Sequence, residues 1–317
     1  MKLLKQLFSI HSPSGNERKM VRFLTWWIKT NVPGIAIETD KMGNLYVRKG
    51  EADSYPCIVA HTDQVQKTHS KDFQAIETED IIFGFSLNHR QQEGLGADDK
   101  VGIWIALRCL KKFDTLKAAF FVQEERGCIG SSQCEMQFFD DCKYVIQCDR
   151  RNGNDLITNI GWTELCSQKF IQDLEAEKFG YKETSGCMTD VLALKENGLK
   201  VCAINLSCGY YEPHTDHEFV MKSEVSNCLA FVEHIIADLT ETYPHEAEEY
   251  AFKGMDDYDL WAEEESEMAY DEIECVLLNQ PGANENDIVE WYRNVYHLSE
   301  EELRSIIHDI KRINLMD

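Results

Sequence analysis

Residues 57–63, Cys57-Ile58-Val59-Ala60-His61-Thr62-Asp63, pass from an apolar strand candidate, Cys57–Ala60, straight into a histidine and an aspartate two positions apart. The juxtaposition recurs along the chain. Ala118–Val122 runs into Gln123-Glu124-Glu125, and Tyr144–Gln147 into Cys148-Asp149. Further strand candidates are Ile35–Thr39, Asn44–Val47 and Val201–Asn205, all short and rich in β-branched or aromatic residues. Between them lie helical patterns starting near Asp99, Thr189 and Lys222. An earlier one, 17–31, places Met20, Phe23, Leu24, Trp27 and Ile28 on one face, with Asn16 as its cap. Alternating helices and strands from residue 1 to about 240 predict an α/β layered domain.

Composition narrows the functional classes. The 317 residues carry a net charge of −24, which opposes binding to nucleic acid and to anionic lipid. No apolar run reaches the length of a membrane span. Met1–Ile10 superficially resembles a signal peptide, but Lys5 interrupts it and it reads instead as a first amphipathic helix. The twelve cysteines are scattered without a Cys-x-x-Cys pair, so reduced, buried thiols and a cytoplasmic location are expected.

Beyond about Tyr243 the composition changes, which divides the chain into a catalytic domain over 1–243 and an acidic, mainly helical extension over 244–317. Between Glu246 and Glu274 thirteen Asp or Glu stand against one Lys, a self-repelling density interrupted by Tyr250, Phe252, Tyr258, Leu260 and Trp261. Helical periodicity returns over 284–314 through Ile288, Trp291, Tyr292 and Val295, then Leu303, Ile306, Ile307 and Ile310. Ser299 and Glu302 there are placed to form a capping box.

Five segments carry the chemistry: Ala60-His61-Thr62-Asp63, Gly96-Ala97-Asp98-Asp99-Lys100, Gln123-Glu124-Glu125, Cys148-Asp149 and Pro213-His214-Thr215-Asp216-His217. Imidazole and carboxylate are donors that zinc accepts, and α/β sheets gather their sites at the carboxyl ends of strands. Each segment alone has a plainer reading: a hydrogen-bonded His–Asp pair, a helix cap at Asp98-Asp99, two solvated glutamates, a turn at Asp149. Five such coincidences, all at element ends, favour a shared site.

In this order the motifs resemble the co-catalytic zinc exopeptidases, most closely the peptidase T-like tripeptidases and aminopeptidases. Ser12-Pro13-Ser14-Gly15-Asn16-Glu17, Gly186-Cys187-Met188-Thr189-Asp190 and His214-Thr215-Asp216-His217-Glu218-Phe219-Val220 extend the likeness over roughly residues 8–241. The resemblance implies a three-layer α/β/α domain with a mixed sheet and two divalent ions, zinc first, with cobalt or manganese as alternatives. Asp98 would bridge them, Glu125 and His214 would complete one site, and His61 and Asp149 the other. By the same resemblance Glu124 is the general base acting on the bridging water, Asp63 the carboxylate behind His61, and the Asp98–Asp99 peptide is cis. That Glu124 and Glu125 point apart is expected from the alternation of side chains along a strand.

One departure stands out: only 36 residues separate Asp149 from Gly186, where the family inserts a lid or dimerisation domain. The acidic extension is a candidate substitute for that lid, or else a solubilising tail. Arg150 and Arg151 are read either as anchors for a substrate carboxylate or as ordinary charge balance. Asp190 is read as a helix cap or a site-orienting group, and His217 as a substrate contact or a structural hydrogen bonder. His69, His89, Cys128 and Cys134 carry no assignment. The resulting expectation is an exopeptidase acting on short peptides. An amidase for N-acyl amino acids and a non-catalytic peptide- or partner-binding protein are the alternatives.

Overall fold

The computed structural model describes residues 1–247, 269, 270, 273, 277, 284–295 and 298–314. It divides into two units, Met1–Glu248 and Glu249–Asp317. Tyr250, Phe252, Tyr258, Leu260 and Trp261 of the acidic stretch lie outside the described residues. Among the described residues no helix is long and apolar enough to cross a membrane.

The first unit begins with α1 (Lys2–Phe8), α2 (Arg18–Asn31), β1 (Ile35–Thr39), β2 (Leu45–Lys49) and β3 (Tyr55–His61). It continues through β4 (Phe73–Glu77), β5 (Ile81–Ser86), β6 (Gln91–Gln92), α3 (Ala97–Lys112), β7 (Leu116–Phe121), α4 (Ile129–Ser132) and β8 (Cys142–Arg150). Then come β9 (Asp155–Ile160), β10 (Thr163–Glu164), α5 (Gln168–Leu174), β11 (Lys182–Gly186), α6 (Asp190–Glu196) and β12 (Ala203–Ser207). The closing elements are β13 (Tyr210–Tyr211), β14 (Phe219–Met221) and α7 (Lys222–Asp238).

Nine strands form one mixed sheet in the order β1-β2-β7-β3-β8-β12-β9-β10, with β11 also paired to β9. Its centre, β7-β3-β8-β12, is parallel, while β1, β2 and β9 join antiparallel. β3 is buried along its whole length, as a central parallel strand covered on both faces must be. Its side chains alternate between two cores. Ile58 and Ala60 join Leu7 of α1, Leu24 of α2, Val101 of α3 and Phe231 of α7, whereas Cys57 and Val59 join Val191 and Leu194 of α6. The expected three-layer α/β/α architecture is therefore present.

Some local expectations change. Asn16 does not cap α2: its amide closes a turn onto the Pro13 carbonyl, so Glu17 occupies the cap position. A second sheet, β13-β14-β5-β4 with β6 on β5, had no counterpart among the strand candidates. The residues between Asp149 and Gly186 supply β9, β10, α5 and most of β11, and so extend the main domain.

In the second unit, helices Glu285–Val295 and Glu300–Asn314 bury Ile288, Val289, Tyr292, Leu303, Ile306, Ile307 and Ile310 together. Trp291, expected on that face, is instead exposed and Val289 takes its place. Ser299 and Glu302 make the capping box: the Ser299 amide donates to Glu302 Oε2 at 2.7 Å and the Glu302 amide to Ser299 Oγ at 3.3 Å.

Two stability predictions follow from buried polar contacts in the first unit. The Tyr144 hydroxyl lies 3.0 Å from the carbonyl of Ile235 and 3.3 Å from that of Leu239, both near the end of α7. Tyr144→Phe should cost about 1 kcal/mol in denaturant unfolding with an unchanged m-value. At the exit of the unit, Lys195 Nζ donates to the Val201 and His245 carbonyls at 2.6 and 2.8 Å and lies 2.9 Å from His245 Nδ1. Burial, then the Lys195 charge, lowers the His245 pKa to about 4. The unfolded state therefore takes up this proton first, and the stability His245 contributes above pH 6.5 is lost as the pH falls towards 4. His245→Gln should flatten the loss of unfolding free energy over that window, and an unchanged slope would contradict the assignment.

Candidate metal centre

The expected ligands sit at element boundaries or in a connecting loop. His61 is the last residue of β3, Asp149 lies next to the end of β8, Asp98 lies in the first turn of α3, and His214 lies in the loop between β13 and β14. Glu124 and Glu125 form a 3-10 turn, Glu124–Arg126, beyond the end of β7 at Phe121. Strand alternation therefore does not separate them as expected; the turn does.

The carboxylate of Asp98 occupies the middle. Its Oδ1 is 3.0 Å from His61 Nε2 and its Oδ2 is 3.3 Å from His214 Nε2. On one side His61 Nε2 lies 3.4 Å from Asp149 Oδ1, and on the other His214 Nε2 lies 3.2 Å from Glu125 Oε2. His61, Asp98 and Asp149 thus converge as one donor group, and Asp98, Glu125 and His214 as a second, with ligand atoms within 4.8 Å in each. Glu124 belongs to neither, although its Oε2 is 3.8 Å from His61 Nε2.

The electrostatics are those of crowded anions. Burial, and then Asp149, Glu125 and Asp190, hold Glu124 well above the usual carboxylate range despite the opposing His61. Burial and Asp98 do the same to Asp149. Burial opposes the charge on Asp98 as well, yet His214 and His61 hold its pKa well below the usual range. Buried Glu125 Oε1 has no hydrogen-bond partner. Two groups of one imidazole and two carboxylates, with an unspent buried oxygen and like charges packed together, fit divalent cations of the zinc type.

The backbone around this centre is fixed by carboxylates that do not belong to either group. Asp63 Oδ1 accepts from the Glu124 amide at 3.0 Å. Its Oδ2 accepts from the Glu125 amide at 3.3 Å and from Ser14 Oγ at 2.8 Å. Asp63 Oδ1 also lies 3.4 Å from His61 Nδ1, on the side of the ring away from Asp98. The Asp98–Asp99 peptide is cis. Asp99 accepts from the His61 amide at 3.1 Å and caps the helix by accepting from the Gly102 amide at 3.0 Å. Only glycine fits there, since a Cβ at 102 would stand 2.2 Å from Asp99 Oδ1.

Buried Glu218 receives the amides of Gly96, Ala97 and Asp98. Burial, then Asp98, pushes its pKa up to about 7. Lys100, fully buried and donating to Gln64, is lowered to about 7 by burial, with Glu218 opposing. Asp149 Oδ2 accepts from Gln147 Nε2 at 3.0 Å and Thr189 Oγ1 at 3.2 Å, while Asn205 pairs with its backbone on both sides.

The remaining candidates separate. Asp190 is not the cap of α6, since Thr189 holds that position; Asp190 instead accepts from Gln147 at 3.3 Å, one step from Asp149. Arg150 pairs with Asp155 at 3.4 Å, and Arg151 is exposed. His217 is exposed and in neither donor group. His69 stacks on Phe73 and lies 2.9 Å from the Gly94 carbonyl, and His89 lies 2.9 Å from Ser70 Oγ. Cys134 contacts Met136, while Cys128 contacts Glu124. The plain reading of Asp98-Asp99 as a helix cap holds for Asp99, whereas Lys100, Glu218 and Thr189 carry no role in the sequence although all lie inside the motifs. Gln147 and Asn205 carry no local signal, being single polar residues inside strands.

No protein-family model and no curated protein matches the sequence. Solved structures do. Aminopeptidase PepT from Bacillus cereus ATCC 10987 is 15% identical and superposes with a TM-score of 0.61, over 76% of this chain and 98% of that one. Aminopeptidase APDkam598 from the archaeon Desulfurococcus kamchatkensis gives 16% and 0.60 over 76% and 95%. A tripeptidase from Staphylococcus aureus subsp. aureus mu50 gives 13% and 0.58 over 74% and 95%. Identities this low speak to architecture, and in architecture this chain shares the fold of solved aminopeptidases and a tripeptidase.

Proposed function

We propose that the protein is a metal-dependent exopeptidase of aminopeptidase or tripeptidase type that hydrolyses short peptides. The observation that carries this reading is Asp98, whose two oxygens each face a separate histidine–carboxylate group, with Glu124 beside them and committed to neither. His61 and Asp149 would hold one divalent ion, Glu125 and His214 another, and Asp98 both. When bound, such ions lower the pKa of water and polarise an amide carbonyl. Imidazole with carboxylate suits zinc, and also admits cobalt or manganese.

The chain's own residues supply the rest. Asp63, whose Oδ1 stands 3.4 Å from His61 Nδ1, is the carboxylate that would fix the ring with Nε2 towards the centre once it accepts the Nδ1 proton in a hydrogen bond. Glu124 takes a proton from water at its carboxylate and returns it to the departing amine. Burial and the like charges around it raise its pKa, which favours uptake of a proton from water at this carboxylate. The likeness in fold to aminopeptidases and a tripeptidase supports peptides as the substrate class. Free cysteines throughout the described residues, most of them buried, support a reducing, cytoplasmic setting.

Hydrolysis of a panel of di-, tri- and N-acylated peptides, with zinc, cobalt or manganese supplied, tests the reading. Peptides with a free amino end should be cut from that end, and Glu124→Ala should lower kcat by at least about a hundredfold while bound metal persists. Cleavage confined to acylated substrates would replace the exopeptidase with an amidase. No turnover with any metal would favour a binding protein.

A further inference from the structure

Cys128 sits against Glu124 and has no part in the ligand groups. It is buried, with 2% of its surface exposed, and its thiol lies 3.5 Å from Glu124 Oε1. The other oxygen, Oε2, is the one 3.8 Å from His61 Nε2. The two oxygens of this carboxylate thus have different neighbours, a thiol donor on one side and the metal-binding histidine on the other.

The local backbone is built to bring the thiol there. Glu124 begins a 3-10 turn that runs from Gln123 at φ +56° to Gly127, and Cys128, the next residue, opens α4 at φ +52°; both non-glycine residues hold left-handed conformations that side-chain-bearing residues rarely adopt. Hydrogen bonds lock the loop around them. The Cys128 amide donates to the Glu124 carbonyl at 2.7 Å, Ile129 to Gln123 at 3.1 Å, and Gly130 to Val122 at 3.0 Å. The Cys128 carbonyl accepts from the Ser132 amide at 2.9 Å and from Ser131 Oγ at 3.2 Å. Glycine is the residue best suited to a left-handed position, so a cysteine held there retains conformational cost that its side chain must offset.

We infer that Cys128 is a positioning residue for Glu124, its thiol donating to Oε1 and holding the carboxylate so that Oε2 faces the metal centre. The inference rests on the reading of Glu124 as the proton shuttle. A thiol suits the task because S–H is a weak donor. It restrains the rotation of a long side chain while leaving the carboxylate basic, whereas a cation at the same place would suppress proton uptake. Burial, together with the facing carboxylates of Glu124 and Asp190, keeps the thiol protonated and hence a donor.

Cys128→Ala and Cys128→Ser separate this role from packing. Crystal structures of the metal-loaded full chain should show Glu124 in one orientation in the wild type and the Ser variant, and rotated or split in the Ala variant. On a peptide that the wild type cleaves, Cys128→Ala should lower kcat by about three- to tenfold, with KM and bound metal unchanged, and Cys128→Ser should restore most of it. Glu124 unmoved in Cys128→Ala would overturn the inference, as would equal losses of kcat in the Ala and Ser variants. A wild type that cleaves no peptide would remove the peptidase reading instead, and the orientation of Glu124 in the Ala crystal would still decide the role of Cys128.

Discussion

The arrangement depends on a single carboxylate shared between two imidazoles. Asp98 can face His61 with one oxygen and His214 with the other only because the chain turns abruptly between Gly96 and Lys100, and four separate contacts hold that turn. Glu218 ties the amides of residues 96–98, Asp99 ties the end of β3 to the start of α3, Gly102 makes room for Asp99, and the Lys100–Gln64 contact fills the space beneath. The Glu218, Asp99 and Lys100–Gln64 contacts are buried and polar, so each is costly to leave unpaired. The rigid parallel centre of the sheet provides the fixed reference, because β3 and β8 carry His61 and Asp149 on adjacent strands.

The same logic explains what the sequence could and could not disclose. His61, Asp98, Glu125 and Asp149 stand close to the ends of elements recognisable by their apolar runs, whereas His214 is flanked by no such run and is marked only by its own motif; the structure brings all five together. The supports were harder. Gln147 and Asn205 lie inside strands, where a lone polar residue reads as an interruption; Gln147 joins Asp149, two residues on, to Thr189, 42 positions away, and Asn205 meets Asp149 from 56 positions away. Of the two readings of Asp190, a helix cap and a site-orienting group, the local capping rule fails, since Thr189 takes the cap while Asp190 turns inward onto Gln147. Glu124 and Glu125 were assigned to a strand end by extrapolation, whereas the strand stops at Phe121.

At the level of fold, the six strand candidates all correspond to strands of the large sheet: all but β1 carry the buried apolar runs of a doubly covered sheet, and β1, at its edge, is half-exposed. The second sheet escaped notice for the converse reason. β5 is half buried and broken by Gly84, where a Cβ would stand 2.2 Å from the Glu93 carbonyl, and β6, β13 and β14 are two or three residues long. Yet that sheet matters to the centre, since β13 and β14 bracket the loop carrying His214 and Glu218. The short span between Asp149 and Gly186 is equally consequential: with β9, β10 and β11 committed to the main sheet, the segment closes the domain and forms no separate body.

Anomalous X-ray scattering at the zinc edge, from crystals of the full chain grown with zinc, tests the shared role of Asp98 most directly. Two peaks should lie in contact with its carboxylate, one also touching His61 and Asp149 and the other Glu125 and His214. A single peak away from Asp98, or none among these five residues, would contradict it.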